Sequence, residues 1–200
     1  MSSSRDAILN AIRNQTLEPT PLPTLEQSWI QFGDPTAQFE TVLESVGGKC
    51  VRCGSLADVQ SALENVTEFQ TAVVRCSTVE GIGKPTMSID EIDDPHALET
   101  VDFAVLRGQF AVAENGSVWV TDEGLRHRVP YFLSQHLALI VPSSEVIPNM
   151  HEAYKRVTFE ERSFGCFVSG PSKTADIEQS LVIGAHGPRS HIVFLVDSAE

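Results

Sequence analysis

The groups best able to hold an anion are concentrated in one stretch, Ser169-Gly170-Pro171-Ser172-Lys173-Thr174, which directly follows an apolar run. Gly170 lets backbone come close to a ligand, Ser172 and Thr174 offer hydroxyls, and Lys173 offers an ammonium. If the preceding run is a strand of a parallel sheet and a helix runs from Thr174 to about Ile183, this turn lies at the carboxyl edge of the sheet. Free backbone N–H groups and the positive end of a helix dipole would then converge on the same anion. The same residues also satisfy a plainer reading, in which Ser172 or Thr174 caps the helix while Asp176 and Glu178 occupy its first turn.

Ala185-His186-Gly187-Pro188-Arg189 reads as the stop of that helix, with His186 and Arg189 within reach of a bound ligand or, for His186, simply favoured by the dipole. Arg126-His127-Arg128 is the densest basic run, and arginine forks match carboxylate and phosphate; surface solubility is the competing role. Glu114, in Ala113-Glu114-Asn115-Gly116, is a carboxylate at a tight turn between two β-rich runs. It is a candidate nucleophile or base if the turn faces a pocket, and a solvated hairpin tip otherwise. His136, entering an apolar strand, reads as a histidine paired to backbone, and no chemistry is assigned to His96 or His151.

The cysteines stand at 50, 53, 76 and 166. Cys50 and Cys53 form a C-x-x-C, but one pair supplies two of the four ligands of a tetrahedral metal, and no second pair follows. A dithiol reading wants a helix starting after the first cysteine. The surrounding Gly47-Gly48-Lys49-Cys50-Val51-Arg52-Cys53-Gly54 reads instead as a strand running into a turn, so buried or half-buried thiols are expected and no metal site is assigned. There is no G-x-S-x-G, Walker loop, G-x-G-x-x-G or H-E-x-x-H, which removes support for the common hydrolases, nucleotidases, dinucleotide dehydrogenases and zincins.

These groups must be positioned by a chain of 200 residues carrying 27 acids against 14 lysines and arginines, a formal net charge of -13. That field disfavours nucleic acid as a partner. The acids outnumber the bases 15 to 6 in residues 1–100 but only 12 to 8 in residues 101–200, which directs the search for an anion site to the second half. No apolar run approaches the roughly 18 residues of a membrane span, and a cytoplasmic protein is expected.

Residues 1–30 read as an amphipathic helix, with Ile8, Leu9 and Ile12 on one side, followed by a connector bearing Pro19, Pro21 and Pro23. Residues 31–200 read as one domain. Helices are expected from Asp34 to Val46, from Ser55 to about Val66, and from Ser143 or Ser144 to about Val157. Strands are expected at 49–53, 71–76, 101–106, 118–121, 136–142, 164–170 and 191–196, with 108–113 leading to a hairpin at Asn115-Gly116 whose type I′ turn would need two positive φ angles. Strand and helix alternate at short intervals, which predicts an α/β fold with a mostly parallel central sheet flanked by helices.

The text of residues 169–189, SGPSKTADIEQSLVIGAHGPR, closely resembles the signature of the lactate-utilisation protein C family (LutC, also called YkgG), short members of the LUD-domain group. FAVAENGSVWVTD (110–122) is similar to that family's A-E-T-G-T turn, keeping Glu114 but placing Asn115 where the family has threonine, and RHRVPYFLSQHLALIVP (126–142) also looks like it. The resemblance implies a fold similar to the NagB/RpiA/CoA-transferase-like group, with 31–200 as the LUD domain. It further implies a place in a system oxidising L-lactate to pyruvate, in which iron-sulfur partner subunits (LutA/LutB-like) carry the clusters. This chain would carry no cofactor and act as an accessory or ligand-binding subunit for a small anion. An alternative is a stand-alone enzyme of CoA-transferase or sugar-phosphate isomerase type using Glu114, since class I CoA-transferases carry their nucleophilic glutamate in a similar Ser-Glu-Asn-Gly turn.

Overall fold

Runs such as Leu137-Ala138-Leu139-Ile140-Val141 and Ile192-Val193-Phe194-Leu195-Val196, apolar at every position, can be satisfied only where both faces of a strand are covered. The computed structural model, which describes residues 3–15, 20–25, 27–158, 164–177 and 180–197, places both at the centre of such a sheet. Along the chain come α1 (Ser4–Arg13), α2 (Pro35–Ser45), β1 (Lys49–Cys53), α3 (Leu56–Leu63), α4 (Thr67–Thr71) and β2 (Arg75–Ser77). Two 3-10 turns, Ile89–Glu91 and Pro95–Thr100, lead to β3 (Phe103–Arg107), β4 (Phe110–Val112), β5 (Ser117–Thr121), α5 (Pro130–Leu133) and β6 (His136–Pro142). A 3-10 turn at Ser143–Glu145 is followed by β7 (Val146–Ile147), α6 (Met150–Arg156), β8 (Gly165–Val168), β9 (Lys173–Ile177), β10 (Ser180–Ile183) and β11 (Ser190–Val196).

The central sheet has the order β1-β11-β6-β3-β2, and each of its pairs is parallel. Period-two alternation divides it cleanly. Phe103, Val105, Ala138, Ile140, Ile192 and Phe194 face α3 and α4, which bring Val59, Leu63 and Phe69. On the other face Ala104, Leu106, Leu137, Leu139, Val193 and Leu195 pack with Phe39 and Leu43 of α2 and with a second sheet of order β7-β4-β5-β8. That second sheet turns Ala111, Val118 and Val120 inward, and Phe110, Val112 and Trp119 outward under Ala153 of α6. Burial of this many large aliphatic side chains, at roughly 1.5–3 kcal/mol each, drives the layering.

The helix starts follow local chemistry. Asp34 accepts from the Ala37 N–H and precedes Pro35, and Ser55 accepts from the Asp58 N–H. The amphipathic α1 forms as the pattern predicts and buries none of its residues, leaving Ile8 and Ile12 exposed.

Five expectations are corrected. The segment from Thr174 to Ile183 is a hairpin, β9 against β10, because β-branched Thr174, Ile177, Val182 and Ile183 favour strand and no helical stripe is present. Of the strand expected at 164–170 only Gly165–Val168 forms, and this β8 joins the second sheet, antiparallel to β5, so the turn after it is not a carboxyl edge of the parallel sheet. The helix expected from Ser143 begins only at Met150, capped by Asn149, since Pro148 denies an earlier start. Residues 71–74 are not strand; Thr67–Thr71 closes a helical turn and β2 keeps three residues. The hairpin at Asn115-Gly116 exists, but its loop runs from Ala113 to Gly116 between the paired Val112 and Ser117, and of the pair only Gly116 has a positive φ, 65°. Glu178 lies outside the described residues.

Candidate functional site

The anion-binding candidates Gly170 and Ser172 lie in a loop, and Lys173 opens β9 just after it; this loop meets the loop of residues 184–190, and together these clamp the amino edge of the parallel sheet. The Ser172 N–H donates to the Pro188 carbonyl at 2.8 Å, the Gly184 N–H donates to the Ser172 carbonyl at 2.9 Å, and the Arg189 N–H donates to the Gln135 carbonyl at 2.7 Å. Gly170 (φ 69°) is packed so closely on the end of α2 that a Cβ there would lie 2.7 Å from the Val46 carbonyl oxygen. Gly187 abuts Ser172 and the Phe132 carbonyl in the same way. Close backbone approach, and not helix capping, is therefore what these glycines provide.

Lys173 is exposed; its Nζ lies 3.5 Å from the Pro171 carbonyl oxygen and makes no ion pair among the described residues. Thr174 is opposite Val182 in the hairpin ladder, and Asp176 lies further along the same strand. His186 is exposed, and the backbone of Arg189 fastens the loop to the sheet.

Just past the second loop of this clamp, in β11, is a residue that sequence reasoning passed over. His191, the second residue of β11, shares its sheet face with Val193 and Leu195 and is only 1% exposed. Neither of its ring nitrogens has a hydrogen-bond partner among the described residues. Burial pushes its pKa down to about 4, and the nearby charge of Lys173 pushes in the same direction, so the ring is neutral. The signal was available: a histidine in step with two core positions of an apolar strand, immediately after the signature. On the opposite face His136 Nδ1 lies 2.8 Å from Ser190 Oγ; its pKa too is lowered, chiefly by burial.

The other candidates are placed elsewhere. Glu114 is exposed, and its carboxylate accepts from the Met150 N–H at 2.8 Å, the first amide of α6. Its turn does touch the signature segment, because Ser169 Oγ donates to the Asn115 carbonyl at 2.9 Å. Arg126 is held by Asp93 and the Asp90 carbonyl, and Arg128 stands 4.9 Å over the ring of Phe164, so neither joins the clamp directly. Cys50 and Cys53 face opposite sides of β1, Cys50 toward the cluster containing Leu43 and Cys53 toward that containing Val59. Two thiols directed apart in this way cannot chelate one ion or close a disulfide without rebuilding the strand. Burial raises the pKa of all four cysteines, that of Cys50 and Cys76 to about 12.

The segment that builds the clamp, both its loops and the three central strands, falls within residues 88–196, which match the family model for the LUD domain. The chain belongs to the LUD domain family. Among similar proteins, lactate utilization protein C 1 of Bacillus mycoides is 32% identical over 114 residues, covering 54% of this chain and 49% of the relative. Lactate utilization protein C of Shouchella clausii is 32% identical over 123 residues (57% and 54%), and that of Geobacillus thermodenitrificans 35% over 98 residues (46% and 41%). The chain thus spans about half the length of these relatives. The crystal structure of a DUF162 family protein from Deinococcus radiodurans matches the fold with a TM-score of 0.56 at 15% identity, over 81% of this chain and 96% of that one. No helix among the described residues is long and apolar enough to cross a membrane.

Proposed function

We propose that this LUD domain protein is a LutC-like component of an L-lactate utilisation system, in which lactate is oxidised to pyruvate together with iron-sulfur partner subunits. In that reading the chain is a cytoplasmic, cluster-free accessory or ligand-binding subunit. The observations that carry it are the LUD domain match over residues 88–196, which include the amino-edge clamp, and the likeness to lactate utilization protein C over about half of the chain. The chemistry of the chain supports the division of labour. Thiols that are buried, protonated and directed to opposite faces of a strand are poor ligands for a cluster, since the thiolate is the form that binds iron. Lys173, without a carboxylate partner among the described residues, and the hydroxyl of Ser172 are among the groups the chain offers a small anion.

The test is an anaerobic affinity purification of the tagged protein from lactate-grown cells of its source, assayed for iron and for lactate-dependent dye reduction. Co-purification of iron and activity is the expected result. An iron-free, inactive preparation from cells that depend on the protein for growth on lactate would overturn the subunit reading.

A further inference from the structure

Where neighbouring strands of an open parallel sheet send their connections to opposite faces, the chain leaves a crevice at the carboxyl edge, and small molecules bind there. Such a place lies over the end of β11. On one side of it β1 runs on into α3, which packs on the face bearing Phe103, Ile140 and Phe194; on the other β6 runs on into β7 of the second sheet, which covers the opposite face. The crevice holds a cavity of about 170 Å³, lined by Leu56, Ile140, Pro142 and Val196 and by the segment from Arg107 to Gln109. It is at the other end of the sheet from the amino-edge clamp. We infer that this carboxyl-edge cavity is a binding site for a compact apolar carboxylate, with Arg107 as the partner of its charge.

The alternation of side chains gives the cavity its character. Phe103, Val105 and Arg107 share one face of β3, the face that carries Ile140 and Val196, so the Arg107 side chain leaves the sheet on the side where the cavity lies. In the strand register Arg107 is opposite Ile140, and Pro142 is opposite Val196. Arg107 is the one charged residue of the lining, and it makes no ion pair among the described residues. Asp197, the acid after Val196, accepts from Ser143 Oγ at 2.6 Å and is not part of the lining. The backbone beneath the guanidinium is fixed from two sides: the Tyr131 hydroxyl donates to the Arg107 carbonyl at 3.1 Å, and the Gly108 N–H donates to the Ile140 carbonyl at 2.9 Å. Gln109, the other polar side chain of the lining, directs its Nε2 to Thr121 Oγ1 at 3.4 Å.

Apolar walls and one planar cation set the class of ligand. Apolar cavities of about 150 Å³ take up molecules the size of benzene, so a body of about four to six carbons fits. The guanidinium fork matches a carboxylate with two parallel hydrogen bonds. Inorganic phosphate, largely dianionic near neutral pH, brings a second charge that no lining residue neutralises. A hydroxyl on the body of the ligand would lie against Leu56, Ile140 or Val196 and lose the hydrogen bonds it makes to water. The cavity therefore selects against a small hydroxy acid, and the inference stands apart from the lactate reading.

The experiment is a titration of the full chain, carbon-13-labelled at its leucine, isoleucine and valine methyl groups, with isovalerate, isopentanol, L-lactate and inorganic phosphate, reading the methyl signals of Leu56, Ile140 and Val196 by NMR. Isovalerate is expected to shift all three saturably. Isopentanol, with the same body and no charge, is expected to bind at least about tenfold more weakly. L-lactate, with a smaller body and a hydroxyl, is likewise expected to bind at least about tenfold more weakly than isovalerate. Arg107→Gln is expected to lower the affinity for isovalerate to that for isopentanol while leaving thermal unfolding unchanged, and Leu56→Trp, which fills the cavity, is expected to abolish binding of both. If Leu56→Trp fails to fold, the Arg107→Gln titration and the parent spectrum decide alone. Methyl signals unmoved by isovalerate, or an Arg107→Gln protein that binds it as tightly as the parent, would overturn the site. A response to phosphate alone, or a response to lactate as strong as that to isovalerate, would overturn the assignment of an apolar carboxylate. Capture of iron-sulfur partners is a separate readout, so failure of this site and failure of the subunit reading are told apart.

Discussion

Ser190 and His191 are neighbours on one strand with opposite fates: Ser190 Oγ lies 2.8 Å from His136 Nδ1, while His191 points through the other face of the sheet and meets no polar partner among the described residues. The amino edge of the parallel sheet therefore carries one satisfied histidine and one unsatisfied, on adjacent strands and opposite faces.

That arrangement sets a pH dependence of stability. The His191 ring titrates at about 4 in the folded chain against about 6.5 when unfolded, so below pH ~6.5 the unfolded chain takes up a proton that the folded one refuses. Stability is fully present above that pH and is lost as the pH falls from about 6.5 toward 4, by roughly 3 kcal/mol when complete. The lowered pKa of His136 acts in the same direction. Urea midpoints measured across this range should fall with pH in the parent and fall less in His191→Phe. Equal slopes in the two proteins would refute the assignment.

Glu114 contributes to the start of α6. Its carboxylate satisfies the Met150 N–H, so Glu114→Ala should cost about 1 kcal/mol in chemical denaturation, while Glu114→Gln, which keeps an acceptor, should cost less. If the two substitutions are equally costly, the contact does not stabilise the helix.

Gly116 is irreplaceable for two independent reasons: its φ is 65°, and a Cβ would lie 2.9 Å from the Leu43 backbone nitrogen. Gly116→Ala should destabilise by roughly 1–3 kcal/mol from the backbone conformation alone, with the contact against α2 adding to it. Gly124→Ala, also at positive φ but with nothing within 4 Å, should show the first cost without the second. Comparing the two by thermal unfolding separates strain from crowding.

Thiol chemistry should be slow. With pKa values of about 12, Cys50 and Cys76 are thiolate in only about one molecule in ten thousand near pH 8, and alkylation of the folded protein should be far slower than in denaturant. Mass spectrometry after brief iodoacetamide treatment would show it. A Cys50–Cys53 disulfide forming in the native protein under mild oxidant would contradict the geometry of β1.

Much of this was readable from residue types. The parallel sheet follows from continuous apolar runs separated by capped helices, and Asp34, Ser55 and Gly47 marked the helix limits correctly. The misread parts share a cause. Ser172-Lys173-Thr174 has the residues of a helix start, but pairing of Lys173–Ile177 with Ser180–Ile183 is a contact between segments and leaves little trace in local propensity. Likewise nothing in Gly165–Val168 alone tells whether it joins the parallel sheet or lies beside β5. Glu114 was recognised as a turn carboxylate, but its partner, the Met150 amide, stands 36 positions away. His191 was hidden for the opposite reason: a polar residue in an apolar strand is easily counted as part of the strand.

The strand order has a consequence for synthesis. β11 is the last strand of the central sheet to be made, yet it lies between β1 and β6 and pairs with both along most of their length. Until it is made, β1 has no neighbour in the sheet and the strongly apolar β6 keeps an open edge. The strand that joins β1 to the rest of the sheet is thus made after β1, β2, β3 and β6, so an apolar strand edge stays open until β11 arrives.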